Sequence, residues 1–269
     1  MKIKIFCAVF LLFAFLLVHS GCKKEEVNTK KEEVNTKKEL DCKLFQGINR
    51  QILAIKQNNV KFCVEVTRRH GRAEIIDTTF YNESGLCVKL IRRITVGPFM
   101  EKYLYDKNED IIEESRYSID SILLFKNFYF YDKNGFLTEK KTYYADKDTT
   151  IFFEKYNYVV DSICRPVKKQ TISENNILQW EFRIKYDLNN EISEERSYYQ
   201  GNELVFYSIN EYDDKGNIKK NFFRHYDQKL WGEYERRTLY YYNEKGLLIK
   251  TEEYDEKNIL TEEVVYKYY

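Results

Sequence analysis

One seven-residue stretch decides the fold of this chain: Tyr131-Asp132-Lys133-Asn134-Gly135-Phe136-Leu137. Its pattern, Tyr-Asp/Asn-x-x-Gly/Asn-x-aliphatic, is named the turn motif below. Clear copies begin at Tyr212 and Tyr242. Looser copies begin at Tyr81, Tyr105, Tyr186 and Tyr254. A motif that returns every few tens of residues marks a repeat architecture, in which each copy is one supersecondary unit.

The spacing inside the turn motif predicts a β-hairpin with a three-residue loop. Tyr131 and Leu137 are six positions apart, and they face each other on one side of a sheet if residues 133–135 form the loop. The last loop residue must then adopt a left-handed backbone conformation, which glycine and asparagine tolerate best. Every copy has Gly or Asn in this slot except one, which has Glu109, and we expect a different loop there.

Composition indicates an all-β fold. The chain has 24 Tyr and 18 Phe but only 2 Pro, and aromatic residues suit a pleated, half-buried surface. A second set of polar breaks between the motifs leaves strands of about 8 to 10 residues. Lys, Glu and Arg alternate with apolar residues along them, which indicates one packed and one wet face. We predict a repetitive antiparallel β-meander of hairpins, drawn as an open, curled or solenoid-like sheet; the pattern does not decide whether it closes into a barrel.

The Tyr-Asp-x-x-Gly core resembles the YD repeats of RHS-type proteins and of small bacterial lipoproteins that carry YD-like repeats. The resemblance covers residues 81–269, and the copy expected near Tyr158 is degenerate. In the RHS family, many tandem copies build a large hollow shell, and this chain has too few copies to enclose anything comparable. The resemblance implies the hairpin fold and brings no catalytic residue with it.

The first 21 residues predict a lipoprotein signal peptide. Lys2 and Lys4 precede an apolar run over residues 5–18, and the small residues Ser20-Gly21 precede Cys22. A basic start, a short apolar core and small residues at the cleavage point are typical of secretory signals. Small residues directly before a cysteine also resemble the lipobox of bacterial lipoproteins, which implies a lipidated Cys22, although this chain has His where that family usually has Leu. An ordinary cleaved signal that leaves Cys22 as a free thiol is the alternative.

Residues 22–40 predict a disordered, charged spacer behind the lipidated cysteine. Residues 23–29 are repeated without change as residues 30–36, and so polar a segment cannot offset its ordering entropy. Residues 41–269 then form a single domain. The trio Lys24-Glu25-Glu26 resembles a surface-export signal of Gram-negative outer-membrane lipoproteins, which favours a lipid-anchored protein that faces outward over one that faces the periplasm.

Several kinds of chemistry are excluded by the sequence. The 44 basic and 43 acidic residues leave no charge excess for nucleic acid. His70 and His225 stand alone, without a second ligand at metal-site spacing, and we interpret each as a surface or turn residue. Adjacent glutamates on a strand point to opposite faces and cannot flank one bond. We therefore predict a protein that is not an enzyme and needs no metal or cofactor.

Four cysteines remain after processing of the signal: Cys42, Cys63, Cys87 and Cys164. They allow three pairings in an exported protein. Cys87 occupies the aliphatic slot of the first turn motif, so we interpret it as a small buried hydrophobe. Cys42 with Cys63 is the first candidate for a disulfide, because it would tie the end of the spacer to the first strands. The alternative is that no bridge forms.

The predicted function is the presentation of a β-sheet for binding or scaffolding by a lipid-anchored outer-membrane protein, with a protein or glycan as ligand. The alternatives are a carbohydrate-binding or carbohydrate-active envelope protein and a toxin- or immunity-associated RHS-like module. Trp180 and Trp231 are candidates for a ligand platform, because broad aromatic faces recognise sugars and proteins. The alternative is that the aromatic residues only pack on the sheet and bind no ligand. We expect function where the turn motif breaks, around Glu109, residues 158–166 and residues 224–231.

Overall fold

The computed structural model describes residues 50–69, 74–93, 97–145, 150–226 and 232–269. A short helix, α1 (Arg50–Gln57), leads into a run of antiparallel strands. Each strand pairs with the next along the chain, and the last pairs with the first. The strands are β1 (Phe62–Arg69), β2 (Ile75–Tyr81), β3 (Cys87–Arg93), β4 (Phe99–Tyr105), β5 (Ile111–Ser118), β6 (Leu123–Tyr131), β7 (Leu137–Tyr144), β8 (Thr150–Val160), β9 (Pro166–Ser173), β10 (Leu178–Tyr186), β11 (Ile192–Tyr199), β12 (Glu203–Tyr212), β13 (Ile218–His225), β14 (Tyr234–Tyr242), β15 (Leu248–Asp255) and β16 (Leu260–Tyr268).

The sheet is closed into a barrel, and this corrects the open, curled or solenoid-like sheet drawn from the sequence. β1 and β16 run antiparallel, from Cys63 opposite Tyr268 to Arg69 opposite Glu262. Closure removes both exposed edges of the sheet, and the β-bulge beside each turn motif adds the local bending that a closed sheet needs. The all-β antiparallel meander itself is confirmed.

The turn motif forms the predicted three-residue loop. Tyr131 lies opposite Leu137, the Asp132 N–H donates to the Phe136 carbonyl at 2.9 Å, and the Gly135 N–H donates to the Asp132 carbonyl at 3.1 Å. Gly135 has a φ of 85°, in the left-handed region. The other copies pair in the same way: Tyr81–Cys87, Tyr105–Ile111, Tyr186–Ile192, Tyr212–Ile218, Tyr242–Leu248 and Tyr254–Leu260.

The expectation of a different loop at Glu109 is wrong. Glu109 has a φ of 68°, and its N–H donates to the Asp106 carbonyl at 3.1 Å, as in the glycine-containing copies. A non-glycine residue in this conformation costs roughly 1–2 kcal/mol. The Asp106 carboxylate accepts from the N–H groups of Asn108 at 2.8 Å and Asp110 at 3.0 Å, and these bonds to a charged acceptor offset that cost.

The degenerate copy near Tyr158 forms the same three-residue loop as the other copies, with Val160 in the position of the motif tyrosine. Val160 lies opposite Pro166, Asp161 takes the aspartate position, and Cys164 holds the left-handed slot with a φ of 68°. The loop and its aspartate anchor are therefore preserved although the tyrosine and the glycine are both replaced.

The aspartate or asparagine after the tyrosine anchors every loop through its side chain. Asp132 Oδ1 accepts from the N–H groups of Asn134 at 2.8 Å and Phe136 at 2.9 Å. The same paired acceptance is made by Asn82, Asp106, Asp161, Asp187, Asp213, Asn243 and Asp255. This short-range bonding is the Asx turn, and it fixes the loop without help from the rest of the chain.

Four motif tyrosines tie their hairpin to the one before it. The Tyr131 hydroxyl donates to the carbonyl of Ile111, the aliphatic residue of the preceding motif, at 2.9 Å. The same link is made from Tyr105 to Cys87 at 2.6 Å, Tyr186 to Pro166 at 2.9 Å and Tyr212 to Ile192 at 2.8 Å, and Tyr268, outside the motif, makes it to Leu248 at 2.7 Å. Each of these tyrosines therefore packs its ring on the inner wall and satisfies a main-chain acceptor on the neighbouring strand.

Removal of one of these hydroxyls should cost a measurable share of the stability. We expect Tyr131→Phe to lower the free energy of unfolding by about 1 kcal/mol, because the Ile111 carbonyl loses its donor. Urea unfolding measures this, with Tyr143→Phe on the exposed outer wall as the control. Equal stability of the two variants would contradict the structural role of the hydroxyl.

Helix α1 covers one end of the barrel, named the capped end. Seven of the turn-motif loops, those that join an even-numbered strand to the next strand, lie at this end, whereas the loop at 255–259 lies at the other, named the far end. Ala54 and Ile55 of α1 pack with Val60 and Leu247 in a buried cluster. Among the described residues, no helix has the length and apolar character to cross a bilayer.

Gly85 and Gly246 both need the left-handed conformation of the loop, but they differ in how closely α1 packs against them. A Cβ on Gly85 would lie 2.7 Å from the Ile52 carbonyl oxygen, whereas a Cβ on Gly246 would meet only the Ala54 Cβ at 3.7 Å. Substitution of either glycine by alanine lowers the free energy of unfolding by about 1 kcal/mol, because alanine disfavours the left-handed conformation. We expect Gly85→Ala to destabilise the protein further and to expose α1 to limited proteolysis, with Gly246→Ala as the matched control. Identical proteolysis of the two variants would show that α1 is not seated on the β2–β3 loop.

Candidate functional site

Side chains alternate between an outer wall and an inner wall that faces the barrel interior. In β6, Asn127 and Tyr129 are buried on the inner wall, whereas Leu124 and Phe130 are exposed on the outer wall. The two walls differ in chemistry, and the inner wall carries the groups of interest.

A network of buried carboxylates crosses the inner wall of β2 to β6. Glu114, 2% exposed, accepts from the Tyr129 hydroxyl at 2.7 Å and from Asn127 at 2.9 Å. Glu101, 3% exposed, accepts from the Tyr103 hydroxyl at 2.8 Å and from Arg116. Each buried charge therefore has donors close by, as burial of a charge requires.

Glu65 and Asp77 bring two carboxylates to directly opposite positions on β1 and β2. Burial and the neighbouring Asp77 raise the pKa of Glu65 to about 7. Asp77 accepts from Arg92 Nε at 2.8 Å through one oxygen and from the Arg93 N–H at 3.3 Å through the other. Because both oxygens of Asp77 are engaged, the pair is a structural arrangement and not a free acid and base.

Glu65 should make the stability depend on pH. Its pKa is higher in the folded state than the ordinary value of 4.5, so the folded protein holds this proton more tightly. Stability is then greatest below about pH 4.5 and falls as the pH rises toward about 7. We expect Glu65→Gln to remove this fall and to stabilise the protein at pH 8 by on the order of 2 kcal/mol. Thermal unfolding across this pH range tests it, with Glu256→Gln in an exposed turn as the control; parallel profiles for wild type and Glu65→Gln would contradict it.

A continuous row of aromatic rings lies on the inner wall of β10 to β14. It consists of Phe182, Trp180, Phe206, Phe223 and Tyr234, and is named the aromatic row. Successive ring centroids are 6.4, 6.0, 5.6 and 6.0 Å apart, with interplanar angles of 30°, 22°, 35° and 36°. All five rings are half-buried. The row therefore forms part of the inner wall without any of its five residues being fully buried.

Two further rings flank the aromatic row. Tyr199 meets Trp180 at 5.3 Å, close to edge-on. The His225 ring lies 4.9 Å from both Phe206 and Tyr234. His225 is only 1% exposed, and its Nδ1 lies 2.9 Å from the Gly232 carbonyl oxygen. The interpretation of His225 as a surface or turn residue is therefore wrong, while His70 lies outside the described residues.

Polar and charged groups adjoin the aromatic row on the same wall. Asn221 donates to Ser208 Oγ at 2.7 Å and to Asn210 Oδ1 at 2.8 Å. The Lys169 amine lies 5.9 Å from the centre of the Phe182 ring, and burial lowers its pKa to about 8. Arg236 lies over the Tyr234 ring at 4.6 Å and pairs with Glu253 at 3.1 Å. No group of His, Cys, Asp or Glu among the described residues is arranged to hold a metal ion.

The candidate platform residues have different outcomes. The structure places Trp180 inside the aromatic row, whereas Trp231 lies outside the described residues. Sequence reasoning missed Phe182, Phe206, Phe223 and Tyr234. Phe182 could have been found by the two-residue spacing from Trp180, but the rest needed the pairing of β10 to β14. Neither the signal peptide and spacer nor Cys22 falls among the described residues.

The predicted Cys42–Cys63 disulfide is wrong, because Cys63 is a free thiol. Cys63 and Cys87 are free and buried, and burial raises the pKa of each thiol to about 12. Cys63 sits on the inner wall opposite Tyr268, where it packs as a small hydrophobe. The same interpretation of Cys87 is confirmed. Cys164 is disulfide-bonded, and Cys42 lies outside the described residues.

We expect Cys42 to be the partner of Cys164. Cys63 and Cys87 are thiols, and Cys22 is predicted to carry lipid. Arg50, at the start of α1, lies 3.5 Å from Glu191, and Arg165 beside Cys164 donates to Asn190 at 2.7 Å. α1 therefore begins next to the Cys164 loop. Because Arg50 is only eight residues after Cys42, we expect Cys42 to be within reach of Cys164.

Peptide mapping without reduction should recover one cross-linked peptide pair that contains Cys42 and Cys164. Cys63 and Cys87 should react with a thiol reagent only after unfolding, because both are buried. A bridge that contains Cys63 would contradict both the expectation and the structure.

Comparison with known proteins shows the fold and little else. A crystal structure of a porin-like protein from Bacteroides uniformis aligns over 78% of this chain and 98% of that chain, with 9% identity and a TM-score of 0.51. One of a porin-like protein from Bacteroides vulgatus aligns over 78% and 98%, with 9% identity and a TM-score of 0.33, too low to carry an argument. No protein-family model and no curated protein sequence matches the chain.

Proposed function

We propose that this chain is a non-catalytic lipoprotein of the cell envelope, whose barrel binds a ligand outside the lipid bilayer. Cys22 carries the lipid, residues 23–40 form the tether, and the barrel interior is the binding surface. The observation that carries the proposal is the charge on the outer wall. This charge supports attachment of the protein to the membrane through its N-terminus, and not insertion of the barrel into the bilayer.

The outer wall carries ion pairs between neighbouring strands. Lys126 pairs with Glu113 at 2.8 Å on β5 and β6, and Lys185 pairs with Glu194 at 3.0 Å on β10 and β11. Further pairs between strands are Lys220–Glu211 at 2.8 Å and Arg68–Glu263 at 3.0 Å, and Lys250 pairs with Glu252 at 2.7 Å along β15. A lysine or arginine facing lipid at the bilayer midplane costs about 2–4 kcal/mol, so this wall favours contact with water.

The entry point of the chain supports an orientation. α1 lies at the capped end, and the Lys61 N–H donates to the Tyr269 carbonyl there at 2.7 Å. The tether therefore leaves from the capped end, and the far end points away from the membrane. The porin-like description of the Bacteroides uniformis protein agrees with an envelope address. The trio Lys24-Glu25-Glu26 favours the outer membrane and the cell surface.

The inner wall supports binding over catalysis. Glu101, Glu114 and Asp77 are occupied by donors within the wall, so their charges stabilise the barrel. The aromatic row places five half-buried rings on this wall. Because aromatic rings are common in ligand-binding sites, the row favours a carbohydrate-binding envelope protein as the second candidate function.

The test is the fate of the Cys22→Ala variant in a Gram-negative host. We expect it to lose incorporation of labelled palmitate and to leave the membrane fraction, because the proposal assigns the lipid to Cys22. Cys63→Ala, a matched change at a buried thiol, should keep both. Retention of Cys22→Ala in membranes after alkaline carbonate extraction, with N-terminal sequencing showing that residues 1–21 have been removed, would show that the barrel itself is inserted.

A further inference from the structure

We propose that the outer wall of β2 to β4 binds a linear acidic polysaccharide. The surface, named the basic face, comprises Lys89 and Arg93 on β3 and Lys102 on β4, with the exposed side chains of Ile76 and Leu104 beside them. The inference goes beyond the proposed function, because it depends neither on the lipid anchor nor on the interior of the barrel.

The charged side chains of these strands are sorted between the two walls. Both carboxylates, those of Asp77 and Glu101, are buried on the inner wall. Successive side chains of a strand point to opposite walls, so Lys102, directly after Glu101, points outward together with Lys89, which lies opposite it. The same alternation places Arg93 outward. The outer wall of β2 to β4 therefore carries bases and no acid.

Lys89 and Lys102 face each other across β3 and β4 without a counter-charge. The Lys89 amine lies 5.3 Å from the centre of the Phe80 ring, and the Lys102 amine lies 5.1 Å from the centre of the Tyr117 ring. Neither amine pairs with a carboxylate within the described part of the chain. Each ammonium has three N–H donors, so both are available to an anion from outside.

The other lysines of the outer wall are arranged differently. Lys126 holds Glu113, the outward acid of β5, at 2.8 Å, and this acid is therefore engaged on the side away from β4. Lys185 and Lys220 also have acidic partners, at 3.0 and 2.8 Å. Like charges directly opposite each other destabilise a sheet, so the fold gains nothing from the placement of Lys89 and Lys102. A bound anion removes this repulsion.

The layout of the basic face favours a polymer over a single small anion. Its bases are spread over neighbouring strands, which lie about 4.8 Å apart, so a chain with a charge on several of its units contacts more of them than one anion does. Ile76 and Leu104, 40% and 55% exposed on the same wall, offer apolar contacts to the C–H groups of sugar rings. An acidic polysaccharide supplies both kinds of group.

The basic face disfavours other polyanions and peptides. A single-stranded nucleic acid needs free ring faces on which its bases stack, and lysine amines already lie over Phe80 and Tyr117. An extended acidic peptide pairs best with a free sheet edge, and the barrel presents none over its described strands. The proposed tether leaves from the capped end, so this side of the barrel is turned away from the lipid headgroups.

The test is calorimetric titration of residues 22–269 carrying Cys22→Ala, which holds no lipid, with polygalacturonate and with neutral dextran. We expect polygalacturonate to bind and dextran not to bind. The Kd should rise steeply with salt, because binding of a polyanion by bases releases its counterions.

Paired variants separate the basic face from the general charge of the protein. Lys89→Gln with Lys102→Gln should weaken the Kd for polygalacturonate roughly tenfold and flatten its salt dependence. Lys185→Gln with Lys220→Gln removes the same charge from lysines that have acidic partners, and should change the Kd by less than about twofold. Urea unfolding checks that the first pair of changes leaves the midpoint equal to or above that of the parent chain, because it removes a repulsion.

Three results would overturn the inference. The first is the absence of polygalacturonate binding at low salt. The second is an equal loss of affinity in the two double variants, which would assign the binding to diffuse charge. The third is tighter binding of oligothymidylate, or of vesicles of phosphatidylcholine and phosphatidylglycerol, with the same dependence on Lys89 and Lys102. None of these results bears on the lipid anchor, which the Cys22→Ala variant tests separately in cells.

Discussion

The hydrogen bond from the motif tyrosines Tyr105, Tyr131, Tyr186 and Tyr212 to the main chain of the preceding hairpin is the constraint on which the barrel depends. The Asx-anchored loops make each hairpin locally stable, but a hairpin alone does not choose its neighbour. The links from Tyr131 to Ile111 and from Tyr212 to Ile192 join one hairpin to the adjacent strand of the preceding hairpin and set that choice. Burial raises the pKa of Tyr131 and Tyr268 well above the ordinary value, so the hydroxyls remain donors at physiological pH.

The same constraint shapes the interior. Tyrosine rings that must reach a neighbouring hairpin crowd the capped end, where Tyr81 and Tyr268 pack against the buried cluster of α1. Toward the middle, Glu101 and Glu114 accept from a second layer of tyrosines. Nearer the far end, Trp180 and Phe206 have ring neighbours in place of such acceptors. The interior therefore changes from hydrogen-bonded tyrosines to rings that contact one another along the barrel axis.

Local features could be predicted from the sequence and long-range ones could not. The pairing of Tyr131 with Leu137 follows from six-residue spacing and the backbone demand at Gly135. The loop at Glu109 was mispredicted because an aspartate anchor outweighs the preference for glycine. The joining of β1 to β16 depends on how bending accumulates over the whole sheet, which no single repeat reveals. For the same reason Trp180 could be nominated, whereas its neighbours Phe206 and Phe223 needed the strand order.

Closure of the barrel is tested most directly by amide hydrogen exchange in β1 and β16. A closed barrel predicts that the amides of Phe62–Arg69 and Leu260–Tyr268 are protected as strongly as those of the interior pair β10 and β11. Rapid exchange along one side of both end strands, with β10 and β11 still protected, would contradict it. That result would mean that the tyrosine links hold an open sheet whose edges never meet.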